Sequence, residues 1–140
     1  MLKTGVEPQM PFQGVSRTKS VTIAGECLRL STNARADGSL GEIIIQWGKN
    51  GTAGAGLVGT YAAALSLGLQ HEVPLVDLLR QGLGLRFVPA GRTDDPEIPW
   101  AHSIPDYVAR RLAIDWLPHH QRATLPWPGA VPRPRDSVEA

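Results

Sequence analysis

The stretch from Gly41 to Gln70, GEIIIQWGKNGTAGAGLVGTYAAALSLGLQ, limits the possible folds of this chain more than any other. It opens with the β-branched run Ile43-Ile44-Ile45, closed by Trp47 and flanked by glycines, which is strand chemistry. A glycine-rich loop follows, and then Ala53 to Leu69, where Thr60 and Tyr61 are the only large polar-tipped side chains. Nearly every face of that segment is apolar or small, and a helix apolar all round is expected to be buried. Its glycines and alanines leave it too weakly apolar for a membrane span.

The same stretch holds a literal G-x-G-x-x-G at Gly54-Ala55-Gly56-Leu57-Val58-Gly59, with Asp77 where a dinucleotide fold would place its ribose-binding acid. Two features oppose that reading. Six residues separate Trp47 from Gly54, whereas the fingerprint turn follows its strand at once. The segment His71 to Val76 contains Pro74 and makes a poor second strand; Pro74 suits the start of a helix with Leu75, Leu78 and Leu79 at helical spacing. Close helix packing is the preferred reason for Gly56 and Gly59.

At 140 residues the chain suits one domain, able to bury roughly two-thirds of its unfolded surface. Its net charge of +1 gives no global attraction to nucleic acid or an anionic membrane. A single cysteine excludes an internal disulfide, and without an uninterrupted apolar leader the expected location is the cytoplasm. Residues 1–16 are expected to be a flexible arm. Val21 and Ile23, then Leu28 and Leu30, alternate on either side of Ala24-Gly25-Glu26, predicting two antiparallel strands with one buried face. Turn chemistry around Asp37-Gly38 leads into the strand ending at Trp47. The fold class is therefore α+β: a three-stranded antiparallel meander, a buried glycine/alanine-rich helix and two further helices.

After the second helix, Leu85-Arg86-Phe87-Val88 is a short extended run and Pro89 to Pro96 a loop. Ser103 with Asp106 three residues on predicts a capped helix, whose Ile104, Val108, Leu112 and Trp116 form a core stripe with Arg110 and Arg111 outside or at its border. Pro118 stops it, and the proline-rich residues 118–140 are expected to be a disordered tail.

No catalytic residue or metal site is assigned. His71, His102, His119 and His120 are scattered, Asp94 and Asp95 suit turn chemistry, and Cys27 suits a small core or interface residue better than a nucleophile. Lys49, Asn50, Gly51, Arg86 and Arg92 lie in or beside loops and form a candidate anion site, because glycine-rich backbone and basic side chains suit phosphate. The same residues could equally be solvated surface charges.

An ordered set of short motifs spans residues 17–117. It includes Gly41-Glu42-Ile43, Gly48-Lys49, Ala55-Gly56-Leu57, Ser66-Leu67-Gly68-Leu69-Gln70, Arg86-Phe87, Asp95-Pro96, Ser103-Ile104 and Arg110-Arg111-Leu112-Ala113. With this set the chain resembles the TSCPD domain, the C-terminal accessory region of adenosylcobalamin-dependent (class II) ribonucleotide reductases. Val88 departs from the acid usual there, and Trp47 and Trp100 replace other large apolar residues. The resemblance implies deoxyribonucleotide synthesis by radical reduction, with thioredoxin as electron source and adenosylcobalamin as cofactor of the full-length enzymes. That chemistry needs a thiyl-forming cysteine plus a reducing pair, which one cysteine does not supply. No cofactor is therefore expected in this chain, and the implied role is accessory: docking on a class II reductase or on a copy of itself. A nucleotide- or nucleic-acid-binding regulatory module and a self-associating structural protein are the alternatives.

Overall fold

The computed structural model describes residues 15–127. Strands β1 (Ser16–Ile23), β2 (Glu26–Ala34) and β3 (Leu40–Trp47) form an antiparallel sheet in the order β1-β2-β3. Its first hairpin turns on Ala24 and Gly25, both at positive φ, which a two-residue hairpin loop demands. The register pairs Val21 with Leu28 and Leu30 with Ile45, so the expected alternating apolar positions share one buried face. At the second turn Asp37 accepts hydrogen bonds from the Ser39 amide and hydroxyl, which hold its carboxyl below the usual pKa. Cys27 lies on the opposite, solvent-facing side of β2, so it is exposed and not a core residue.

Helix α1 (Ala53–Gln70) runs along β3, with Thr52 as N-cap. Its Ser66 hydroxyl bonds both the amide and the carbonyl of Ile43, 2.9 and 3.0 Å away. That contact occupies the outward backbone groups of Ile43 on this edge strand, which are then closed to another chain. The helix is not buried all round, as its composition suggested. Ala62, Leu65, Ser66 and Leu69 face inward, whereas Gly56, Leu57, Gly59, Thr60, Ala63, Ala64 and Leu67 face solvent. An added methyl at Gly56 or Gly59 would meet nothing within 4 Å, so close packing does not explain these glycines. It does explain Gly54, where the methyl would stand 2.7 Å from the Trp47 ring. All three glycines of the fingerprint lie within the helix and not in a strand-to-helix turn, and Asp77 sits in the first turn of α2 (Leu75–Gly82).

The helix enclosed on almost every side is α3 (Ile104–Trp116), capped by Ser103 Oγ accepting from the Asp106 amide. Ile104, Val108 and Leu112 fill the core as expected, but Arg110 and Arg111 are buried as well. They are tolerated because their charges are met. Arg110 pairs with Asp106 at 3.1 Å, and Arg111 reaches Asp95, Glu97 and Asp115 at 2.7–2.9 Å. Asp95 serves turn chemistry as expected, accepting from the Glu97 amide at 3.0 Å, but it is also fully enclosed and accepts from the Tyr107 hydroxyl at 2.7 Å. Burial pushes the Asp95 pKa up, but hydrogen bonds from Tyr107 and Arg111 outweigh it and hold the carboxyl below its usual range.

Two further differences arise from long-range pairing. The loop expected across Pro89–Pro96 contains β4 (Gly91–Arg92), which pairs with β5 (Trp100–Ala101), and the Arg92 carbonyl accepts from the Ala24 amide. Beyond Pro118 the chain continues into α4 (His119–Arg122). Leu125 is buried, and the Trp127 indole donates to the Arg122 carbonyl while lying 5.8 Å from the Arg110 guanidinium. The beginning of the expected tail is therefore part of the packed unit, while residues 128–140 and 1–14 lie outside the described residues.

Candidate functional site: an apolar cleft

Trp47 ends β3 with its ring against α1, an approach that requires glycine at position 54. From that corner a cleft of about 310 Å³ runs between α1 and the segment after α2. Leu57, Val58 and Tyr61 form one wall, Phe87, Val88 and Pro89 the other, and Ile104 and Pro105 at the start of α3 complete it. Burial raises the Tyr61 pKa, keeping its hydroxyl neutral in this apolar setting. Leu57, Phe87 and Val88 are 71, 52 and 83% exposed, a concentration of large apolar surface in one place.

The Phe87 wall is held by Asp106. In a capping box this carboxylate would return to the amide of the cap residue. Here it accepts instead from the His102 amide at 2.9 Å and the Gly84 amide at 2.7 Å. The His102 carbonyl in turn accepts from the Phe87 amide. One enclosed carboxylate thus ties both ends of the segment carrying Phe87 to α3. Burial pushes the His102 pKa down, with Arg86 and Arg110 adding to the effect and Asp106 opposing it.

The five candidate anion-site residues are all exposed. Lys49, Asn50 and Gly51 form the turn before α1, where the Lys49 carbonyl accepts from the Thr52 amide and hydroxyl. Lys49 and Arg86 each stand close in sequence to a cleft-lining residue, Trp47 and Phe87. Arg92 belongs to β4, outside the cleft lining. Among the described residues, no group of three or more metal-ligating side chains gathers at one point, and no helix is long and apolar enough to cross a membrane. Sequence reasoning missed the cleft because its walls come from four separated segments. The available signal was Leu57, Phe87 and Val88, large apolar residues outside any core-facing period.

Fold and site define an α+β domain with a cleft lined almost wholly by apolar side chains. Residues 6–115 match the TSCPD domain, and the chain belongs to that family. It is 38% identical over 120 residues to the vitamin B12-dependent ribonucleotide reductase of Streptomyces avermitilis, covering 86% of this chain and 12% of that protein. The enzyme of the same name from Agrobacterium fabrum is 36% identical over 116 residues, 82% of this chain and 9% of its own. In Streptantibioticus cattleyicolor the match is again 38% over 120 residues, and 20% of the relative is covered. The chain thus spans at most one-fifth of these relatives. No solved structure matches it.

Proposed function

We propose that this chain is an accessory domain in deoxyribonucleotide synthesis, docking through the apolar cleft onto the catalytic body of a vitamin B12-dependent ribonucleotide reductase. The match carries this reading: most of the chain corresponds to a small part of enzymes bearing that name. In those relatives the corresponding region is continuous with a far longer chain. A larger body is the natural cover for a cleft that leaves Leu57, Phe87 and Val88 in solvent.

The reduction itself belongs, on this reading, to the partner. A dithiol–disulfide cycle needs two thiols, and Cys27 is the only one here, on the open face of the sheet. Cobalamin does not fit the cleft. A space of about 310 Å³ is at the small end for a drug-sized ligand and does not enclose a corrin macrocycle.

The test uses a vitamin B12-dependent reductase from which the matching region has been deleted. Deoxyribonucleotide formation with adenosylcobalamin and a dithiol is measured with and without this chain. Restored turnover on addition, with none from the chain alone, is expected. Unchanged turnover across a saturating titration would overturn the proposal.

A further inference from the structure

Helix α1 carries no charged residue along its 18 positions, yet half of it faces solvent. Its outer face sets small side chains, Gly56, Gly59, Thr60, Ala63 and Ala64, between Leu57 and Leu67, which are 71 and 56% exposed. On the β3 side this face opens into a groove of about 410 Å³ bordered by Ile44, Gly59, Ala63 and Leu67. Solvated helix faces ordinarily carry charge, and this one continues as apolar surface onto the sheet.

The pattern is also close to symmetric about Ala62. Leu57 and Leu67 stand five residues to either side, and Thr60 and Ala64 two. At 1.5 Å per residue the leucines are about 15 Å apart along the axis. A second helix laid antiparallel across the small residues therefore meets Leu67 with its own Leu57, and Ala64 with its own Thr60. Small residues at the crossing permit the shorter interaxial separations, near 8 Å.

The charges at the two ends agree with that orientation. Lys49 precedes the N-terminus of α1 and Glu72 follows its C-terminus. Both are exposed and neither forms an ion pair among the described residues. In an antiparallel pair each Lys49 approaches the partner's helix C-terminus and Glu72, matching side-chain charge and helix dipole together. A parallel pair would place like charges side by side. We infer that the outer face of α1 is a two-fold interface with a second copy of this chain, formed by antiparallel packing of the two α1 helices.

The interface shares Leu57 with the apolar cleft, so it is read on the purified chain alone and tested at Ala64, which does not line the cleft. Sedimentation equilibrium across the micromolar range should give twice the 15.1 kDa chain mass. Ala64→Arg, which places charge on the exposed stripe, should give a monomer with unchanged far-UV circular dichroism. Lys49→Glu should weaken the dimer by about tenfold, and adding Glu72→Lys should restore it. A wild-type monomer throughout, or a dimer that survives Ala64→Arg, would overturn the interface. Failure of the charge swap to restore affinity would overturn the antiparallel arrangement.

Discussion

Glycine substitutions in α1 and α2 separate packing from conformational freedom. At Gly59 an added methyl meets no atom within 4 Å, and the backbone is ordinary helix interior. Alanine there gains only its helix propensity over glycine, about 1 kcal/mol, which for a domain of this size raises the Tm by roughly 4 °C. Gly82 is the opposite case. Its methyl would lie 2.9 Å from the Tyr61 hydroxyl and 3.0 Å from the Pro105 carbonyl, and a backbone oxygen at the start of α3 does not swing aside. Overpacking of this kind costs about 1–3 kcal/mol. The assay is thermal and urea unfolding at low protein concentration in the Ala64→Arg background, so that self-association does not contribute. Gly59→Ala should unfold above the parent and Gly82→Ala below it. A destabilised Gly59→Ala, or an unaffected Gly82→Ala, would refute the one-sided burial of α1 and the tight α2–α3 seam.

Asp95→Ala removes one partner from buried Arg111 and strands the Tyr107 hydroxyl, and should cost about 3–5 kcal/mol in urea unfolding. Because the folded Asp95 pKa is depressed, its stabilisation is complete above the unfolded value, about 3.9, and is lost as pH falls through the folded one. The urea midpoint should therefore fall on acidification below about pH 4, and less steeply in Asp95→Asn. Truncation after Pro118 removes buried Leu125 and half-buried Trp127 and should lower stability by about 3 kcal/mol. Cys27→Ser on the exposed sheet face should stay within about 0.5 kcal/mol of the parent.

Local chemistry made the meander, its turns and the α3 cap legible in sequence, because alternation, Asp-Gly and Ser-x-x-Asp each act over a few residues. Burial was harder to read where it depends on distant partners. The all-apolar composition of α1 suggested enclosure, but the sheet edge and α2 cover only one of its faces. Arg110 and Arg111 looked like surface charges, yet Asp106 from the same helix and Asp95 from a loop make their burial possible. The same long-range pairing drew Gly91–Arg92 into a hairpin with Trp100–Ala101 despite the neighbouring prolines. None of the candidate anion residues lines the cleft, although Lys49, Arg86 and Arg92 each lie within three residues of one that does.

The central claim is that this domain docks a reductase body through its apolar cleft. It is tested most directly by titration calorimetry of the chain against a vitamin B12-dependent reductase lacking the matching region. The account predicts saturable one-to-one binding per reductase chain, weakened about tenfold or more by Phe87→Ala and not weakened by the monomerising Ala64→Arg. Absence of binding, or binding that Phe87→Ala leaves intact, would contradict it.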